Sequence, residues 1–407
     1  MTLEEKKEVY PQKTVALLIF LGGFTNNIIP TLITFLHSNY NFEHWKAVLL
    51  QSTFFINFFI TVIPGWMLIK KHGYEKTIRY SLILCAISST FFAFALETKN
   101  NTLIFPVIFL LAIGITLIRI SVTPLLIGNQ VSNRYHKNIS LIMCADTIGA
   151  LISPTLSSYW LLNAQNNWTL QPSTCFFLKL GIIYLLLARY VQKKPLGNNN
   201  HTSTTINKTN LLNAMKKKNI QSGFFATFTF IGLEFSIPIF IALIAQKNTP
   251  DNPHIGAVLI SCYWTLLLIG RLVSTKILQI VSASNLIMYG AVISIFLIIT
   301  TINTTYFAYS LTILGLINSY MYPCIFSIHT KNLPKTEHFI ASSIFLMGFS
   351  GGAAIPFMQA LLSKSLGTHG SFILIIICYI SLTAIIQTNK KHQAESLEKA
   401  AANLGQR

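Results

Sequence analysis

Arg119 and Asp146 stand as lone opposite charges inside long apolar segments, 27 residues apart on either side of a basic connection centred near 132 or 133. Each is some 13 or 14 residues from that turn. At a 1.5 Å rise per residue, both lie roughly 20 Å along neighbouring helices, at matching depth. A lone ion in hydrocarbon is costly, so the spacing implies mutual neutralisation, a water-filled cavity, or both. The pair is then either a structural clamp between two helices or part of a central cavity. In the cavity, Arg119 would meet a hydroxyl or an anionic group, and Asp146 would accept a solute donor or a proton.

Other polar side chains sit at comparable depths. Asn26 and Asn27 precede one turn by about a dozen residues and Gln51 follows it by a similar number, so their amides can share one level. Buried amides need partners, either one another or a polyhydroxylated solute. Glu234 lies mid-segment in FIGLEFSIPIF, with Pro238 one turn later able to free backbone carbonyls. A low-dielectric setting disfavours a charged carboxylate, which suits a group that must take up and release a proton; the alternative is a carboxyl hydrogen-bonded to neighbouring helices. Tyr263 and Trp264 are a stacking platform for a sugar face, packing residues, or interfacial anchors. Arg271, in LLLIGRLVSTK, falls at the cytoplasmic end of its segment, where gating or lipid-headgroup contact is expected rather than solute contact.

The segments that must position these residues run over 14 to 37, 45 to 69, 77 to 96, 103 to 128, 139 to 162 and 172 to 190, then 222 to 245, 255 to 275, 281 to 300, 306 to 329, 338 to 362 and 369 to 386. Twelve spans of about 20 residues fit a chain of 407. Hydrophobic residues make up 52% and charged residues 10%, with mean hydropathy +0.55. Soluble domains carry about 25% charged residues, so a membrane protein is expected. The first apolar run follows the mixed charges Glu4, Glu5, Lys6, Lys7 and Glu8, and holds Asn26, Asn27 and Pro30. It therefore reads as a helix rather than a cleaved signal.

The net charge of +18 follows topology. Lys70, Lys71, Lys76 and Arg79 follow the second segment, Arg134 and Lys137 the fourth, and Lys193, Lys194, Lys208, Lys216, Lys217 and Lys218 the sixth, whereas the alternate connections are poorer in lysine. By the positive-inside rule both termini are cytoplasmic, with membrane lipids the partner of the basic face and no nucleic acid needed. Residues 191–221, with Pro195, Gly197 and an Asn run, read as a cytoplasmic linker between an N-terminal six-helix bundle over 1–190 and a C-terminal bundle and tail over 222–407. That plan suits two halves rocking around a midplane site.

Cys85, Cys144, Cys175, Cys262, Cys324 and Cys378 are scattered without metal-ligand spacing and read as buried small side chains. No nucleophile and base pair stands out, so neither an enzyme nor a cofactor is expected. His72 and His329 fall near segment ends, where solvated or structural roles suffice. Gly65 allows close helix approach, and Gly348, Gly351, Gly352 and Pro356 in MGFSGGAAIPF allow close crossing or bending.

The whole chain resembles the major facilitator superfamily, and more narrowly its fucose, galactose and glucose proton symporter family. GWMLIKKHGYEK is similar to the superfamily's loop motif between helices two and three. QSTFFINFF, YWTLLLIGR, MYPCIFSIHTKNL and MGFSGGAAIPF resemble the narrower family. The resemblance implies an all-α membrane protein of twelve helices in two six-helix bundles, in a cell inner membrane, moving a sugar or sugar-like solute by proton symport. It also implies departures. The family's proton-coupling acid of helix one falls on Asn26, its helix-four glutamate on Arg119, and a sugar-contacting amide of helix five on Asp146. Glu234 resembles an acidic position kept on helix seven in several members. While ionised, Arg119 favours the charged form of Asp146, which leaves Glu234 the first choice for proton coupling and Asp146 the second. Arg119 also suits a sugar acid or carboxylate solute. Export of a hydrophilic metabolite and substrate sensing without net flux stay open as alternatives.

Overall fold

The computed structural model describes residues 12–40, 42–127, 135–162, 170–193, 213–252, 254–330, 333 and 335–404. The charged start at Glu4–Glu8, the turn near 132, and the Asn run with Lys194 and Lys208 lie outside the described residues.

In chain order the helices are α1 (Gln12–Asn26), α2 (Ile29–Tyr40), α3 (His44–Phe55), α4 (Asn57–Ile60), α5 (Val62–Glu97), α6 (Asn101–Ile127), α7 (Tyr135–Leu161) and α8 (Pro172–Lys193). The second half of the chain holds α9 (Lys218–Asn248), α10 (Ile255–Ile277), α11 (Ala283–Thr301), α12 (Phe307–Asn318), α13 (Met321–Thr330), α14 (Lys335–Gly348), α15 (Gly351–Gly370) and α16 (Ile373–Leu404). Helices are the natural outcome for such runs, because an α-helix satisfies its backbone hydrogen bonds within the segment when no water is at hand. Among the described residues, ten helical stretches are long and apolar enough to cross a membrane, and Trp45–Ile60 is a shorter apolar helix. The chain is thus a multi-pass, all-α membrane protein.

Several segments expected as unbroken spans are interrupted. α1 gives way to α2 at Asn27 and Ile28, α12 to α13 at Ser319 and Tyr320, and α14 to α15 at Phe349 and Ser350. Conversely, the expected segments 45–69 and 77–96 meet within α5, whose course is broken only at Gly73, at φ +80°. Gly367 plays the same part in α15, at φ +73°. Positive φ is open to glycine at little cost, and both residues stand where the helix changes course.

The two chain halves pack against each other through α7 with α10 and α3 with α15. The Ser52 hydroxyl donates to the Ala353 carbonyl at 2.7 Å, the Ser261 hydroxyl donates to the Leu151 carbonyl at 2.9 Å, and the Thr155 and Ser261 hydroxyls are 2.7 Å apart. Near the start of α3, Lys364 of α15 lies 3.7 Å from the Glu43 carboxylate and 4.5 Å from the centroid of the Trp45 ring. The Trp45 indole N–H donates to Glu43, and together with Lys46 and Lys364 it holds that carboxyl below its ordinary range. Of the membrane helices, α9, which carries Glu234, is the most enclosed.

Candidate functional site

Arg119 on α6 and Asp146 on α7 form an ion pair, with Arg119 Nη2 donating to Asp146 Oδ1 at 2.7 Å. Helix α1 runs alongside at very short range. A Cβ on Gly23 would lie 2.1 Å from the Asp146 carbonyl oxygen, and one on Gly149 would lie 2.2 Å from the Phe20 carbonyl oxygen. The Ser153 hydroxyl closes the same contact by donating to the Phe24 carbonyl at 2.6 Å. Gly22, one residue away, leaves 3.7 Å to the Arg119 guanidinium. The LGGF run therefore makes room for the ion pair, a role the sequence reading missed. Gly23→Ala is expected to force α1 and α7 apart and destabilise the protein by about 1–3 kcal/mol. Gly22→Ala should stay within about 0.5 kcal/mol of the parent. Apparent Tm in detergent measures both, and equal effects would contradict this packing.

Arg271, six residues from the end of α10 at Ile277, reaches the other chain half, where its Nη1 donates to the Thr147 hydroxyl on α7. Arg119, Asp146, Glu234 and Arg271 all lie within electrostatic reach of Tyr322 on α13. Two guanidiniums and two carboxyls, one of each from each chain half, thus act electrostatically on one phenol.

Glu234 is 5% exposed and its Oε1 makes no hydrogen bond. The neighbouring Phe235 ring packs across the halves against Phe55 of α3, tilted by 54° with centroids 4.6 Å apart, and its centroid stands 5.7 Å from that of Trp264 of α10. Trp264 is buried with its indole N–H unpartnered. Gln51, one turn before Phe55, is fully buried with both amide atoms unpartnered. Buried polar atoms are nearly always hydrogen-bonded, so this concentration of unmet donors and acceptors is informative.

Asn26 and Asn27 are buried at the break between α1 and α2, each with an unpartnered Oδ1, while Asn27 Nδ2 donates to the Gly23 carbonyl at 2.9 Å. No hydrogen bond joins either to Gln51, so the first-hairpin amides do not satisfy one another. Tyr263 faces the packing of its own half. Its hydroxyl donates to the Glu234 carbonyl at 3.4 Å and accepts from Asn318 Nδ2 at 3.3 Å, and the Asn318 Oδ1 accepts from Tyr379. A Cβ on Gly315 would lie 2.2 Å from the Tyr263 carbonyl oxygen. Packing, rather than a stacking platform, matches that setting. His329 is fully buried and bonded to Ser222 and Ile325, a structural residue. Among the described residues no group of three or more His, Cys, Asp or Glu side chains could hold a metal ion.

Comparison with known proteins agrees with this architecture. The chain is 24% identical over 392 residues to a glucose/galactose transporter of Brucella abortus, covering 93% of both proteins. It is 21% identical over 386 residues to the L-fucose-proton symporter of Escherichia coli, covering 87% of each. Its fold matches a crystal structure of the major facilitator transporter FucP in the outward conformation, with a TM-score of 0.72 at 19% identity over 94% of this chain and 99% of the other. The family model of the Major Facilitator Superfamily matches residues 15–357. The chain belongs to the major facilitator superfamily and is a secondary transporter rather than an enzyme.

Proposed function

We propose that this transporter carries a sugar or sugar-like solute by proton symport, through alternating access of twelve membrane-crossing helices in two six-helix bundles. The bundles span 1–190 and 222–407, joined by a cytoplasmic linker over 191–221, in a cell inner membrane with both termini cytoplasmic. The observation that carries this reading is the set of unmet hydrogen-bonding atoms on Gln51, Glu234 and Trp264, around the Phe55–Phe235 contact between the halves. A hydroxyl-rich ring offers donors and acceptors to the first set and an apolar face to the aromatics. Asn26 and Asn27 add acceptors from the break between α1 and α2, Arg119 and Asp146 bound the site on the first half, and Arg271 gates it by linking α10 to α7. Glu234 takes the proton, while Asp146 is ion-paired with Arg119. The sugar transporters among its relatives support the solute class.

A second reading has its own observation. Arg119 and Arg271 reach the consecutive residues Asp146 and Thr147 from opposite halves. Two guanidiniums at one point suit a carboxylate or sugar-acid solute.

Counterflow in proteoliposomes with labelled neutral hexoses, sugar acids and small carboxylates separates these readings. Exchange of a neutral hexose is the expected result. Exchange of anions alone would replace the sugar reading with the anion reading, and exchange of nothing in the panel would overturn both.

A further inference from the structure

Helices α11 and α16 are the least enclosed of the membrane-crossing stretches, each 33% buried, so both face lipid along most of their length. Where the start of α11 meets the later turns of α16, a cleft of about 240 Å³ opens between them. Lys390 and Gln387, three residues apart on α16, line it from one side, and Ser284, Asn285, Ile287 and Met288 of α11 from the other. Gln387 Nε2 also touches Met288 Sδ at 3.4 Å, joining the two walls. No described lining residue is acidic. Ser282 caps α11, its hydroxyl accepting from the Asn285 N–H, so the positive end of the helix dipole points at the same space. Beyond this polar mouth, Tyr289, Val292, Ile293 and Phe296 form one exposed apolar face of α11.

We propose that this cleft binds the phosphate-bearing headgroup of an anionic phospholipid. Lys390 supplies the counter-charge, while the Gln387 and Asn285 amides and the Ser284 hydroxyl donate to phosphate and glycerol oxygens. The acyl chains lie along the Tyr289–Phe296 face. That apolar face distinguishes a lipid from free phosphate, which would use only the polar mouth. The assignment to the cytoplasmic leaflet rests on the orientation proposed from the lysine-rich connections, whereas the site itself does not.

Native mass spectrometry of the full chain in detergent tests this with added phosphatidylglycerol, phosphatidylcholine or inorganic phosphate. Phosphatidylglycerol should be retained over phosphatidylcholine. Lys390→Gln should lower its occupancy roughly fivefold, the loss expected of one lysine near an anionic surface. Lys71→Gln, which removes the same charge from an exposed residue of the α5 bend, should leave it unchanged. Equal retention of the two lipids, or equal effects of the two substitutions, would overturn the proposal. Displacement of the phospholipid by millimolar phosphate would reduce the cleft to a free-anion site and equally overturn it. Labelling Lys391→Cys, in a chain freed of its six native cysteines, from each side of the membrane reads the orientation separately. Labelling from outside with lipid binding intact would sink the orientation and spare the site.

Discussion

Glu234→Gln is expected to abolish uptake driven by an imposed pH gradient while leaving counterflow of the same solute within about fivefold of the parent. The substitution keeps the shape of the side chain and its ability to hydrogen-bond, and removes only the proton that the group can take up. Solute contact through Oε1 should survive at a cost below about 1 kcal/mol, since an amide offers both donor and acceptor at the same place. What is lost is the link between solute movement and the proton gradient. Glu234 is suited to that link by position: it is buried on the most enclosed helix, beside the contact between the halves, and within electrostatic reach of Arg271. Paired uptake and counterflow assays on reconstituted protein measure both quantities. Gradient-driven accumulation that persists in Glu234→Gln would remove Glu234 from coupling and leave Asp146 as the remaining carboxyl of the charged cluster.

The second large effect concerns Arg119 and Asp146. Arg119→Met strips the guanidinium from a carboxylate that is 30% exposed, and should cost about 2–3 kcal/mol, below the range for fully buried pairs because water reaches part of the group. Adding Asp146→Asn removes the stranded charge, so the double variant should recover most of that stability. Transport then decides between the clamp and the cavity. With the pair lining the solute path, the folded double variant should lose counterflow by roughly thirtyfold or more, the size of a lost desolvated charge contact. A double variant with parental stability and parental counterflow would make the pair a clamp between α6 and α7 and nothing else. Apparent Tm with counterflow on the same preparations reads the two outcomes independently.

The legibility of this ion pair in the sequence has a simple physical basis. A helical hairpin converts residue count into depth, and two lone opposite charges at equal depth leave few other arrangements. The same conversion gave the height of Arg271 without its direction. Whether that side chain turns to lipid or to α7 depends on rotation about the helix axis, which spacing along one apolar segment does not reveal. Gly22 and Gly23 were invisible for a related reason: a glycine pair in an apolar run gives no sign of which neighbouring backbone will pass at contact distance. The interruption at Ser319 falls without a glycine or proline at the break, whereas that at Phe349 lies among Gly348, Gly351 and Gly352, which allow bending, and the turn at Gly73 is marked by its flanking Lys70, Lys71 and Lys76. The multi-pass, all-α character of the chain was readable from its hydrophobic runs. The cross-half meeting of Phe55 with Phe235, beside Trp264, was not, because it joins residues 180 positions apart.

The charged cluster around Tyr322 has an electrical consequence. On the proposed coupling through Glu234, its ionised form leaves two guanidiniums against two carboxylates, and the unloaded carrier would cross its cycle neutral at the centre. With Glu234 protonated, the same centre holds one excess positive charge. A membrane potential, worth about 2.3 kcal/mol per elementary charge for each 100 mV, would then act on the loaded half of the cycle and leave the empty return nearly indifferent to voltage. An inside-negative cell would draw solute inward by pulling on the loaded step alone, and the rate of resetting would be set by helix packing rather than by the field.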